Sequence, residues 1–281
     1  LKKFHIICAL ILIITLIIGC AHVPNNNNIS NNIIETTVVE TEIPATTEAE
    51  YTFFNPDSIF SYEYIYDGEI IPHILFTPSI SDESRPKPLI VWLHGTGERN
   101  ANKLDFLLSG LPLTINMWLT DGFDAYVLCP HLTGKWNISV WNYIYSADNL
   151  KLLLDKFISE HNVDTGNIVI VGHSLGGQGA LYMAHQLPEY FSKCVVLSGY
   201  PAGIDISEIK IPTIGYVGQY NCGESRDSIN YMMNYFAPVF GEENTFSIPT
   251  SHGKLPFVVF NQDVDDNNRS DVIEWMFDGI D

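Results

Sequence analysis

Apolar and polar positions along this chain alternate between two kinds of segment. The first kind is a short run with almost no polar interruption: Leu89–Leu93, Ala125–Pro130, Ile168–Val171, Cys194–Leu197 and Thr213–Gly218. A run that is apolar at every position needs cover on both faces, so each predicts a central strand of a parallel sheet. The second kind has helical spacing. Leu150, Leu153, Leu154, Phe157 and Ile158 make one face over residues 149–162. Helices are also expected over 105–119, broken near Pro112, over 177–186, over 227–240 as far as Pro238, and over 272–277. Ahead of these, Phe60–Tyr66 and Ile70–Phe76 flank Asp67-Gly68 and predict an antiparallel hairpin. Thr245–Ile248 reads as a last short strand, and Phe257–Phe260 as strand too. Strands that alternate with helices predict an α/β fold with right-handed crossovers, in one domain over 51–281.

The first fifty residues follow a different pattern. Lys2 and Lys3 precede an apolar stretch from Ile6 to Ile18, which ends in Ile17-Ile18-Gly19-Cys20. The stretch is short for a membrane span. It resembles a bacterial lipoprotein signal peptide over residues 1–19. That resemblance implies cleavage before Cys20, a lipid on the Cys20 sulfur, and a protein anchored at the outer face of the cell membrane. Residues 20–50 are rich in Asn, Thr and Glu and lack a usable period, which predicts a disordered tether.

A net charge of −19 argues against nucleic-acid binding, which needs a basic face. Five cysteines are present without a C-x-x-C, and only Cys129, Cys194 and Cys222 lie in the body. No disulfide framework is expected, and Cys129 and Cys194 read as small buried hydrophobes.

The chemistry concentrates after Ile168–Val171, in Gly172-His173-Ser174-Leu175-Gly176. This is G-x-S-x-G between a buried strand and a helix start. Small flanking residues let a serine sit at the tip of a tight turn with its hydroxyl exposed. Such a nucleophile needs a base, and the base needs an orienting acid. His252 follows the last strand, as the order Ser…acid…His requires. His173 is too near Ser174 in sequence to turn back onto it, His94 suits another task, and His131, His161 and His185 read as fillers. For the acid, the segment after Gly218 offers Glu224, with Asp227 as the alternative. Asp205 is more remote. Leu175 and the loop His94-Gly95-Thr96-Gly97 would supply oxyanion N–H donors, Thr96 first and Gly95 second.

These residues, with Pro88–Arg99, resemble the α/β-hydrolase superfamily over about Phe60 to the C-terminus. The branch resembled is that of carboxylesterases, feruloyl esterases and polyhydroxybutyrate depolymerases. The resemblance implies an eight-stranded, mostly parallel sheet flanked by helices, and ester hydrolysis through an acyl-enzyme without a catalytic cofactor. Asn221 stands where the family commonly has aspartate. Trp136, Trp141 and Tyr143 could form a substrate platform or pack in the core. A peptidase or transacylase on the same fold, and a non-catalytic surface binding lipoprotein, are the rival readings. The domain is expected to be a monomer.

A second pattern stands apart. Asp263, Asp265, Asn267, Arg269 (through its carbonyl), Asp271 and Glu274 follow the spacing of an EF-hand calcium loop. An Asx-rich turn capping the last helix is the alternative, since no incoming helix is expected before it.

Overall fold

Among the described residues, eight strands form one sheet. They are β1 (Phe60–Ile65), β2 (His73–Pro78), β3 (Lys87–Leu93), β4 (Tyr126–Pro130), β5 (Val163–His173), β6 (Lys193–Leu197), β7 (Thr213–Tyr220) and β8 (Thr245–Ser251). The order across the sheet is β1-β2-β4-β3-β5-β6-β7-β8. The first two pairings, β1 with β2 and β2 with β4, are antiparallel, and every later one is parallel. The computed structural model describes residues 60–65, 70–78, 84–102, 105–106, 109–110, 124–133, 144–201, 203–220, 230–260 and 272–277. The chain divides into Leu1–Glu50 and Tyr51–Asp281, and all described residues belong to the second unit. The lipobox with Cys20 lies outside them. No helix among the described residues is long and apolar enough to cross a membrane.

The helices are α1 (Ile144–Glu160), α2 (Leu175–Gln186), α3 (Ala237–Phe240), α4 (Leu255–Phe260) and α5 (Val272–Phe277). The central strands read as unbroken apolar runs because successive side chains serve two different cores. Leu89, Val91, Leu93, Ile168, Ile170, Cys194 and Val196 share one cluster with Leu150, Leu154, Leu181 and Met183 of α1 and α2. Ile90, Trp92, Val169, Val171, Val195 and Leu197 share the other with Leu255, Val259, Val272 and Met276 of α4 and α5. Cys129 and Cys194 are free thiols buried in these cores.

Two expectations are overturned. Residues 257–260 are not a strand but part of helix α4. Leu255 and Val259, one helical turn apart, are both buried against the second cluster, and a short apolar run does not reveal its period. Pro238 does not end its helix either. A π-helical turn at Met232–Phe236 shifts the hydrogen-bond register just before it, and Pro238 then sits in the first turn of α3, where a missing N–H costs little. Boundaries also move. The helix expected from 149 begins at Ile144, and β5 begins at Val163, whose partner is Lys87. The helix expected over 105–119 falls mostly outside the described residues.

Along the sheet, the chain leaves β3 toward β4 on one side and returns to β5 on the other. The carboxyl ends of β3 and β5 therefore flank a topological switch point, where open α/β sheets place their crevice.

Candidate active site

Ser174 stands at the end of β5 with φ 57° and ψ −116°. For a non-glycine residue this is strained backbone, worth about 1–3 kcal/mol. The surrounding structure holds it there. Ser174 N–H donates to Leu197 O at 2.8 Å, and Gln178 N–H donates to Ser174 O at 3.1 Å. The flanking glycines are a steric necessity. A Cβ on Gly172 would lie 1.9 Å from Gly176 O, and one on Gly176 would lie 1.8 Å from Leu93 O. Leu175 opens α2, so its N–H is one of those a helix start leaves without an intrahelical partner.

Beside this turn lies the loop after β3. A Cβ on Gly95 would meet Ser174 Cβ at 3.4 Å. His94 is fully buried. Leu132 N–H donates to its Nε2 at 3.0 Å, so the ring proton is on Nδ1, which donates to Gly95 O at 2.7 Å. Burial pushes the His94 pKa down to about 3. His131, stacked on Phe106, donates from Nε2 to Glu98 O at 3.0 Å, and burial lowers its pKa to about 4. Asn100 N–H donates to Leu132 O at 3.0 Å. The loop is thus bolted to the chain after β4 by neutral imidazoles. Thr96 at its tip is exposed.

His252 directly follows β8, in a short turn spanning His252–Lys254. Its carbonyl accepts from His173 Nε2 at 3.0 Å, and the two rings lie 4.6 Å apart between centroids. Burial, then the nearby His252, pushes the His173 pKa down to about 3. The structure therefore brings Ser174, Leu175, Gly95, Thr96 and His252 to one edge of the sheet. The acid candidates Glu224 and Asp227 lie outside the described residues. β7 ends at Tyr220, which pairs with Ser251, the residue before His252. Asp205 accepts from Ser207 N–H and Oγ–H, at 3.0 and 2.7 Å, and is committed to a local turn.

Trp136, Trp141 and Tyr143 lie outside the described residues. So do Asp263, Asp265, Asn267, Arg269 and Asp271, while Glu274 is exposed on α5. A cavity of about 380 Å³ exists elsewhere, between Thr213 at the start of β7 and Trp275, at the opposite end of β7 from Tyr220. The positioning roles of His94, His131 and His173 carry no local sequence signal except burial beside strand ends.

Residues 130–236 match the model of a family described as putative esterase. A probable alcohol acetyltransferase of Saccharomyces cerevisiae is 31% identical over 125 residues, which are 44% of this chain and 33% of that protein. The match thus spans about a third of that relative's length. Among solved structures, a thermostable esterase superposes with a TM-score of 0.57 at 20% identity, over 78% of this chain and 62% of that one. The feruloyl esterase module from Clostridium thermocellum, complexed with sinapinate, gives 0.57 at 13%, over 74% and 87%. A fluorophosphonate-binding serine hydrolase of Staphylococcus aureus gives 0.56 at 13%, over 77% and 98%. The shared property at these identities is the fold, and the chain has the α/β-hydrolase fold.

Proposed function

We propose that this chain is a lipid-anchored, extracytoplasmic serine hydrolase that cleaves carboxylic esters through an acyl-enzyme. The observation that carries the reading is Ser174, held in strained backbone at the β5–α2 turn with the His252 loop tied to its neighbour His173. The match of residues 130–236 to putative esterases supports it. In this reading Ser174 Oγ attacks the ester carbonyl carbon while His252 takes the hydroxyl proton. The tetrahedral oxyanion is held by the N–H groups of Leu175 and Thr96. Collapse breaks the ester C–O bond, and His252 gives its proton to the leaving alcohol. Water then attacks the acyl-enzyme, with His252 again as base, and frees the acid and Ser174. Glu224, or Asp227 in its place, orients the imidazole. Trp136, Trp141 and Tyr143 would line the acyl side. Every bond change in this scheme is carried by Ser174, His252 and water.

Cys20 carries the lipid in this reading, and residues 21–50 give the domain reach from the membrane. Calcium at 263–274 would pin α5. The helices on either side, α4 and α5, support that part of the reading, and a rise in melting temperature with added calcium tests it.

The test of the central claim is Ser174→Ala in the full chain, assayed with p-nitrophenyl acetate. Hydrolysis is expected to fall by about 10³-fold or more. Undiminished turnover would sink the assignment, and failure of a fluorophosphonate to label the wild-type protein would favour a binding role.

A second reading has an observation of its own. The similarity to a probable alcohol acetyltransferase favours an alcohol, rather than water, as the acyl acceptor. Product partitioning with added ethanol separates the two: acetate alone means hydrolysis, and ethyl acetate means transfer.

A further inference from the structure

A second strained serine stands beside the first. Strands β5 and β6 pair His173 with Leu197, so Ser174 and Ser198 are the first residues past two neighbouring strand ends. Ser198 has φ 49° and Ser174 has φ 57°. Among the described residues, Asn100 is the one further non-glycine with a positive φ, and asparagine visits that region more readily than serine does. The hydrolytic scheme gives the strain at Ser174 a purpose. It leaves the strain at buried Ser198 without one.

The peptide between Leu197 and Ser198 bridges three strands. Its carbonyl accepts the Ser174 N–H at 2.8 Å, and its N–H donates to Tyr216 O of β7 at 2.7 Å. With that peptide fixed at both ends, the torsions of Ser198 decide where the chain goes next. It goes to the start of α2. A Cβ on Gly199 would lie 2.4 Å from Gly177 C, and one on Gly177 would lie 2.8 Å from Gly199 Cα, so the two backbones are in direct contact. Residues 197–199 therefore grip the Ser174 turn twice, at the Ser174 amide and at Gly177. The Leu175 N–H lies between the two grips. The carbonyl of its own peptide, Ser174 O, accepts from Gln178 N–H at 3.1 Å and so points along α2. Across a trans peptide the N–H points the opposite way, out of the helix start.

We propose, resting on Ser174 as the nucleophile, that Ser198 is a positioning residue for the oxyanion donor on Leu175: its left-handed backbone ties the peptide that holds the Ser174 amide to the glycine that braces α2, and so aims the Leu175 N–H at the tetrahedral intermediate. Ser198 acts through its backbone. The role needs a residue that tolerates a positive φ, and it does not need a hydroxyl. A β-branched side chain opposes it, because a branch at Cβ crowds the backbone in that region.

Two variants of the full chain separate conformation from hydroxyl. Ser198→Gly deletes the hydroxyl and accepts a positive φ freely, while Ser198→Thr keeps the hydroxyl and branches the Cβ. Both are assayed with p-nitrophenyl acetate, and competent sites are counted by endpoint titration with a fluorophosphonate. For Ser198→Thr, kcat per titrated site is expected to fall about tenfold or more, with KM within about twofold, the split of an interaction made only in the transition state. For Ser198→Gly the per-site kcat is expected within about threefold of wild type. The reverse order would overturn the proposal, as would equal values for the two variants. A Ser198→Thr loss that disappears once competent sites are counted would also overturn it. If Ser198→Thr does not fold, Gly177→Ala decides instead. Its methyl is a wedge between Gly177 and Gly199, at a helix position where alanine is favoured. There the per-site kcat is expected to fall more than about threefold, and a smaller change would overturn the proposal. Ser174→Ala, run alongside, keeps the two claims apart. An active Ser174→Ala brings down the nucleophile assignment, whereas an inactive one beside an unaffected Ser198→Thr brings down only the role of Ser198.

Discussion

The His173 ring donates from Nε2 to the carbonyl oxygen of His252 at 3.0 Å, across 79 positions of sequence. The residue before the proposed nucleophile thus holds the loop of the proposed base, and a neutral imidazole acts as a structural strut. His173→Phe keeps a ring there but removes the donor. The expected loss is about 1 kcal/mol of stability, because a partly buried carbonyl loses its partner, together with a lower kcat as His252 loosens. Urea denaturation and p-nitrophenyl acetate kinetics measure the two effects. A variant unchanged in both would show that the bond holds nothing.

Protonation should unlock the same framework. Burial holds His94, His131 and His173 down to about 3, 4 and 3, below the ordinary 6.5. The unfolded chain therefore binds protons first as pH falls. The stability tied to the neutral rings is complete above about pH 6.5 and is lost as pH drops toward 4 and then 3, by up to about 1.4 kcal/mol per pH unit for each ring. Glu98, raised by burial, acts with the opposite sign, favouring the fold as pH falls through the carboxylate range. Three rings against one carboxyl leave a net loss on acidification. The melting temperature is expected to fall continuously from about pH 6.5 to about pH 4, and a flat profile would contradict the assignment of neutral rings.

Two glycines near the site should respond in opposite ways to alanine. A Cβ on Gly176 would strike the Leu93 carbonyl, with the oxygen at 1.8 Å and its carbon at 2.4 Å, and neither backbone can yield easily. Gly176→Ala is expected to cost more than about 3 kcal/mol or to prevent folding. A Cβ on Gly97 would meet nothing within 4 Å. Gly97→Ala is expected to stay within about 0.5 kcal/mol of wild type. Thermal melts of the two variants provide the comparison.

Thr96→Pro offers a way to delete one amide proton and little else. Thr96 opens a short 3₁₀ turn, where proline is at home, and Gly95 before it is already extended, as a residue preceding proline prefers. If the Thr96 N–H is the oxyanion donor, kcat should fall by about 10²–10³-fold with KM little changed. An unaffected kcat would move the donor to another amide.

Much of this architecture is legible in the sequence because it follows from local periodicity. Runs such as Leu89–Leu93 and Ile168–Val171 read as strands covered on both faces, and they are. The turn glycines also announced themselves, since Gly172 and Gly176 leave no room for a side chain. Periodicity failed at Phe257–Phe260, where four apolar residues fit either a strand or a helix. It failed again at Pro238, where a register shift one turn earlier absorbs the missing N–H.

By itself the sequence determined the central strands, the G-x-S-x-G turn and the late histidine, because each is written in residues adjacent along the chain. Only the tertiary structure decided which histidines are neutral bolts. His94 with Leu132, His131 with Glu98, and His173 with His252 are pairs from distant segments. Their protonation depends on burial, and burial exists only after strands far apart in sequence have found their register.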